Sequence, residues 1–411
     1  MKYPITPQYL QNVPEPLVSL YLDLEADIIK KICESLAING EPNATALELI
    51  RQLQRRGLPL KDIENAIKRT LGISQKSLTE ALEKAAARNN AYYGTMFDAL
   101  GIVQEEAQLD AMAAEVDAIT RQTKHALRNI TQSLGFGMRG LGPNFVISNI
   151  QDTYQQILDR AEIRVLSSDC SYNVAIRDGV REMANSGLIG EWVDYSDENG
   201  NVYHRNRVDV AVRRAVMTGI TQIAGKYTDM AAEEMETPYF EITAHQGARD
   251  IDGPRGWENH KAWQGKVYST RRGDKYPYIY IACGLGYVDG LEGANCRHRR
   301  FPFIEGFSER TYTDEQLKNI DKPPFEYNGR KYTAYDATQR QRQIETALRK
   351  VKRRMIAFKA SGDDIAYQAE AARYHALNDE YAKFTKAAGI PSQIERSYIR
   401  EFGPKEAKQA G

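Results

Sequence analysis

The chain has 411 residues, 42% of them hydrophobic, enough to bury a substantial core in two or three domains, which excludes a disordered tail. Lys plus Arg and Asp plus Glu balance at 55 each, so no net field draws the whole molecule to nucleic acid or a lipid surface, and any such binding has to come from local patches. Cys33, Cys170, Cys283 and Cys296 are too few and too scattered for a secreted disulfide framework, and the sequence shows neither a signal-peptide pattern nor an apolar run of the roughly 18 to 20 residues that cross a bilayer; the expectation is a protein made and kept in a reducing cytoplasm.

From Pro16, the apolar residues Leu17, Tyr21, Leu24, Ile28 and Ile32 recur at helical spacing, with Glu25, Asp27, Lys30 and Lys31 on the other faces, which predicts an amphipathic helix. Further helices are predicted at about 44–56, 60–70, 77–98 and 102–133, the third of these opened by Ser77 with Glu80 in a capping-box spacing. Residues 1–134 therefore read as a helical N-terminal region, and Gly135, Gly137, Gly140, Gly142 and Pro143 predict a hinge after it. The middle region, 135–236, reads as helix over 146–187 and 208–235, separated by a β-hairpin near 191–204 that turns at Asn199-Gly200. Aromatics, glycines and short β-type runs such as YFEITAH, KVYS and YIYIA then mark 237–325 as a compact α+β module. Beyond Pro323 and Pro324 the pattern returns to helix, over 338–360 and on to about 388, which predicts a basic C-terminal region, 326–411, folded as an αα-hairpin. The predicted fold class is mainly α with a compact α+β module.

The residues that carry chemistry lie mostly between His245 and His298. The stretch 243–269 holds two of the six histidines and two of the three tryptophans. Cys283, Cys296 and His298 are metal-ligand types that His245 or His260 would complete to a set of four for a structural zinc, although the C-x12-C-x-H spacing lacks a C-x2-C knuckle. A Cys/His hydrolase would pair Cys296 with His245 or His260. A nuclease would use His245, Arg249, His260 and Lys266 on phosphate. The plainest reading is structural: Trp257, Trp263 and Tyr268 pack a small core, glycines such as Gly247 and Gly265 make turns, and the histidines satisfy buried backbone groups. CGLGYVDG is no nucleotide fingerprint, since its glycines are not in G-x-G-x-x-G order.

The predicted helix from Thr338 to Lys359 carries eight basic residues, among them Arg349, Lys350, Arg353 and Arg354, against the single acid Glu345. Read as an exposed face, it suits a DNA phosphate backbone without base preference. Charges solvated or met by acidic neighbours elsewhere on the fold are the alternative.

The order TAHQGAR, HKAWQGKVYS, GLEGANCRHRRFPFIEG and YTAYDATQRQRQIETALRKVKRR, with the opening TPQYLQNVPEPLVSLYLDLEADIIKKI, resembles the phage minor capsid protein 2 family, which is similar in role to the Mu F-type head morphogenesis proteins. The resemblance implies a structural component of a tailed-phage or prophage head, assembled in the host bacterial cytoplasm and placed near the portal vertex. It implies the portal and major capsid proteins as partners, packaged double-stranded DNA as a further one, and no membrane at assembly. It also implies no catalytic residues. The motif positions it covers are His245, Gly247, Arg249, His260, Trp263, Gln264, Gly265, Lys266, Asn295, Cys296, Arg297 and His298. The Asn295-Cys296-Arg297 element stands where Mu F-type proteins carry a Cys/His cluster, with His298 in place of a second cysteine.

Overall fold

In the computed structural model, residues 3–37, 44–139, 145–191, 206–399 and 402 are described. The chain opens with α1 (Pro7–Asn12), α2 (Glu15–Leu36), α3 (Ala46–Arg56), α4 (Leu60–Leu100) and α5 (Glu106–Gln132). The helices expected at 60–70 and 77–98 are one rod of 41 residues, about 60 Å long at about 1.5 Å per residue. Ser77 lies inside it and caps nothing. No proline interrupts the segment, a glycine such as Gly72 costs only about 1 kcal/mol there, and the buried stripe Ser74, Leu78, Leu82, Ala85, Asn89, Tyr93 and Phe97 holds the rod against α5 and α8 (Val208–Glu234).

Of the residues expected to form a hinge, Gly135 and Gly137 instead lie in strand β1 (Gly135–Arg139), in which Phe136 and Met138 are fully buried, and Gly140, Gly142 and Pro143 lie outside the described residues. Strand β1 pairs antiparallel with β2 (Phe145–Asn149) and β3 (Leu188–Glu191), and β3 pairs with β4 (Asn206–Arg207), giving the order β2-β1-β3-β4. The hairpin expected at Asn199-Gly200 lies outside the described residues. Between the strands run α6 (Ile150–Leu166) and α7 (Tyr172–Ser186).

Helix α8 is the axis of the body. It packs on α2, α4 and α5, and buried residues such as Val212, Val216, Ile220, Ala224 and Ala231 line most of its circumference, as a helix enclosed by others requires. After it come β5 (Tyr239–Ile242), α9 (His260–Trp263), β6 (Val267–Ser269), α10 (Ile279–Ala282) and β7 (Arg300–Pro302), with β5 central in a three-stranded antiparallel sheet. Of the β-type runs, YIYIA is the helix α10. Next are α11 (Asp314–Lys318) and a hairpin of β8 (Phe325–Tyr327) and β9 (Arg330–Tyr332), where the sequence reading returns directly to helix. Its turn is Asn328-Gly329, both residues at positive φ (48° and 73°), as a tight hairpin turn of this hand requires. The expected αα-hairpin follows as α12 (Ala334–Ala360) and α13 (Asp364–Ala388). The fold is mainly α with small antiparallel sheets, as expected. All four cysteines are free, and among the described residues no helix is long and apolar enough to cross a membrane.

The basic face of α12 is where the sequence reading departs furthest from the structure. Arg353 is fully buried and pairs with the equally buried Glu25 of α2 at 3.4 Å, 328 positions away. Its Nε donates to the Ala184 carbonyl at 3.0 Å. Glu25, expected on a polar face, also accepts the Leu188 N–H at 2.6 Å and faces Arg207 at 3.6 Å. Gly187 stands beside it at φ +64°, where a Cβ would come within 2.6 Å of the Glu25 carboxylate. Arg349 pairs with Asp209 at 3.3 Å and Arg354 with Glu370 at 2.6 Å, while Lys350 is half-buried. Arg349, Arg353 and Arg354 therefore meet carboxylates on α8, α2 and α13 and do not form an exposed track. Burial pushes the Asp209 carboxyl up, but the guanidiniums of Arg207, Arg349 and Arg353 more than offset it and hold it down at about 2.

Replacing Arg353 with Ala leaves the Glu25 carboxylate buried with too little compensation and is expected to cost about 3–5 kcal/mol in denaturant unfolding, against about 0.5 kcal/mol or less for Gln343→Glu on the exposed side of the same helix. Because the folded-state pKa of Asp209 lies below its unfolded value of about 3.9, its contribution is complete above pH 4 and is lost as pH falls from about 4 to 2; acid titration of Asp209→Asn should show a flatter loss over that window.

Candidate functional site

The β5–β7 ladder pairs Ile242 with Arg300, and reciprocal bonds between Thr243 and Arg299 carry it one residue further. The two chains leaving the sheet therefore run side by side, so that His245 comes to stack on His298 with ring centroids 4.4 Å apart. A third histidine arrives from α9, whose first turn is capped by the Asn259 side chain accepting from the Ala262 N–H at 3.2 Å. His260 thereby meets the other strand end, and its Nδ1 lies 3.8 Å from Cys296 Sγ, while His298 Nδ1 lies 3.6 Å from the same sulfur. All three residues are buried, and their ligand atoms lie within 4.8 Å of one another.

The outer nitrogens settle which ring atoms face inward. His260 Nε2 donates to the Asp289 carbonyl at 3.0 Å, and His298 Nε2 donates to Gln264 Oε1 at 3.0 Å. Gln264 Oε1 also accepts the His245 N–H at 3.0 Å, which identifies it as the amide oxygen. Both Nδ1 lone pairs then point at one sulfur, and a single S–H proton can satisfy only one of them. Burial holds His260 down at about 4 and His298 well below the usual imidazole range, and pushes the Cys296 thiol up to about 11. The group is neutral and fixed from outside, as histidines that hold a metal are.

Of the ligands expected for zinc, Cys296 and His298 are brought together with His260, the alternative to His245, while Cys283 and His245 stand outside the group. Cys283 sits in the apolar cluster of Phe240, Ile242, Trp263 and Tyr268, with its thiol pushed well above the ordinary range by burial. His245 turns its Nδ1 to the Gln246 carbonyl, at 3.0 Å, and to Arg297 Nη2, at 3.3 Å. The remaining motif positions are mostly scaffold. Trp263 packs on His260 and His298, Arg249 donates to the Asp289 carbonyl at 3.2 Å, and the Gly247 N–H binds Asp321 at 2.7 Å. Gly265 packs on Leu317, and Asn295 takes a left-handed turn at φ +60°. Lys266 is exposed and bonded to the Ala262 carbonyl at 2.8 Å, and it does not line the cleft that His245, Arg249 and His260 share. A buried thiol held neutral is a poor nucleophile.

The sequence matches the profile of the phage minor capsid protein 2 family over residues 5–386. The chain belongs to that family. It is 24% identical over 294 residues to a structural protein of Lactococcus phage LL-H, covering 70% of each chain, and 31% identical over 127 residues to a structural protein of Lactococcus phage mv4, covering 31% of this chain and 91% of that one. No solved structure matches it.

In this minor capsid protein the donor set of two imidazole nitrogens and one thiol fits zinc. The observed 3.6 and 3.8 Å separations are close to the edge of a tetrahedral site with Zn–S of about 2.3 Å and Zn–N of about 2.0–2.1 Å, roughly 3.5 Å. His260, Cys296 and His298 would hold the ion, and Gln264 and the Asp289 carbonyl would orient the rings. Elemental analysis of purified protein should then find close to one equivalent of zinc, with Cys283→Ala retaining it and Cys296→Ala losing it. Metal content far below one equivalent, with melting unchanged by a chelator, would count against the site.

Proposed function

We propose that this chain is a non-catalytic part of the phage head, built in during assembly in the bacterial cytoplasm and held near the portal vertex by contacts with the portal and major capsid proteins. The observation that carries the reading is the family match over residues 5–386, which takes in the helical body, the Cys/His module and α12. The neutral, buried state of Cys296, His260 and His298 supports a structural role over a head-carried nuclease or effector. In this reading the long α4–α5 pair is the docking arm. Its connection leaves Leu100, Val103 and Leu109 exposed, Val103 at 87%, and an apolar tip on a long helical rod suits a protein partner. Packaged double-stranded DNA finds little on α12, where Arg349, Arg353 and Arg354 are already matched by Asp209, Glu25 and Glu370.

Cross-linking of purified heads followed by mass spectrometry should join this protein to the portal protein. Val103→Asp should melt like the parent and yet be depleted from heads severalfold. Absence of the protein from purified virions, or cross-links confined to tail components, would overturn the reading.

A further inference from the structure

Beside the Cys/His cluster opens a cleft of about 420 Å³, bounded by α1 and α2, the start of α8, the α+β module, α12 and the segment around Arg396. The volume is that of a small-ligand site. Its charge is unusual, because the guanidiniums of Arg213, Arg297, Arg342 and Arg396 all line it. A single carboxylate, Glu15, serves two of them, at 2.8 Å from Arg213 and 3.1 Å from Arg396. Among the described residues Arg297 forms no ion pair: it donates to the Gln11 side-chain oxygen, and its Nη2 lies 3.3 Å from His245 Nδ1. Arg342 is open to the cleft and, among the described residues, makes no hydrogen bond or ion pair. Glu345 lines the same cleft and attracts Arg342 without forming an ion pair with it, and it accepts from Tyr381 at 3.0 Å.

The arginines feel one another. Arg342 is lowered by burial and then by Arg396 and Arg213. Six arginines and four acids, Glu15, Asp209, Glu345 and Glu395, line the recess, and the two positive charges left over are stabilised by a bound anion. The planar guanidinium fork matches the oxygens of phosphate, and a surplus of more than one positive charge favours a dianion over a monoanionic carboxylate.

We propose that this cleft is a binding site for a phosphate monoester group, with Arg297 and Arg342 as its principal ligands and Arg213 and Arg396 as supporting charges. The group can come from a free nucleotide or from the 5′-terminal phosphate of a nucleic-acid strand. The site is independent of where the protein sits in the head.

Titration calorimetry of the full chain at low and at physiological salt tests it, with inorganic phosphate, a nucleoside monophosphate, a 5′-phosphorylated oligonucleotide and the same oligonucleotide lacking the phosphate as probes. Saturable binding at one site per chain is expected for the first three, weakened roughly tenfold or more by Arg342→Ala and by less in Arg342→Lys. Tighter binding of the phosphorylated strand than of the monophosphate assigns the site to strand ends, and equal binding assigns it to free phosphate compounds. Removing one of the crowded charges should also raise the melting temperature of Arg342→Ala above that of the parent without anion, while phosphate raises the parent alone. No saturable binding of any phosphate probe, binding that Arg342→Ala leaves unchanged, or equal binding of the unphosphorylated strand would overturn the proposal.

Discussion

The structure depends on one buried carboxylate. Glu25, on the first long helix, accepts the Leu188 N–H of a strand, faces Arg207 at the start of the axial helix and pairs with Arg353 of the C-terminal hairpin. Four segments from across the chain converge on it, and each supplies a group that would be costly to bury alone. Asp209 repeats the arrangement one step away, between Arg207 and Arg349. The termini are thereby tied into one core, which contains Ile5 and Leu17 together with Phe358 and Phe402. For a particle component that is assembled once, a single body with its charges internally matched is a physically sensible design.

The α+β module joins this body through a second ion cluster of the same kind. Arg299 and Arg300 both face Glu292, at 3.2 and 3.4 Å, and Arg300 continues to Asp229 on the axial helix. These arginines stand directly after the Cys296–His298 pair. Anchoring β7 to α8 therefore also sets where the sulfur and imidazole lie, and the cleft with its unmatched arginines forms where module, axial helix and α12 meet. The contrast between matched and unmatched guanidiniums is informative. Arg349, Arg353 and Arg354 have carboxylates and hold the fold together, whereas among the described residues Arg297 and Arg342 form no ion pair and face an opening.

Much of this was legible in the sequence because it is local. Apolar spacing marks α2, α5, α8 and the α12–α13 pair, and the residue types at 245–298 mark a Cys/His cluster. Long-range pairing was not legible. A charge such as Arg353 or Glu25 looks solvated on a helical wheel when its partner is 328 positions away, although the apolar neighbours Ile356, Ala357 and Phe358 were a sign that α12 is buried on more than one stripe. The choice of His260 over His245, and the exclusion of Cys283, follow from strand register and from the placement of α9, neither of which spacing reveals. Asn328-Gly329 carried the same turn signal as Asn199-Gly200 and could have been read as the β8–β9 hairpin.

Native-state hydrogen exchange tests most directly whether one buried cluster makes the chain a single cooperative body. The slowest amides of α2, α8 and α12 should share one opening free energy, and Arg353→Ala should lower all of them together. If the amides of residues 1–134 open at a lower free energy of their own, with α12 still protected and the substitution felt only near position 353, the helical N-terminal region is a separate unit and the Glu25 cluster is not what holds the protein together.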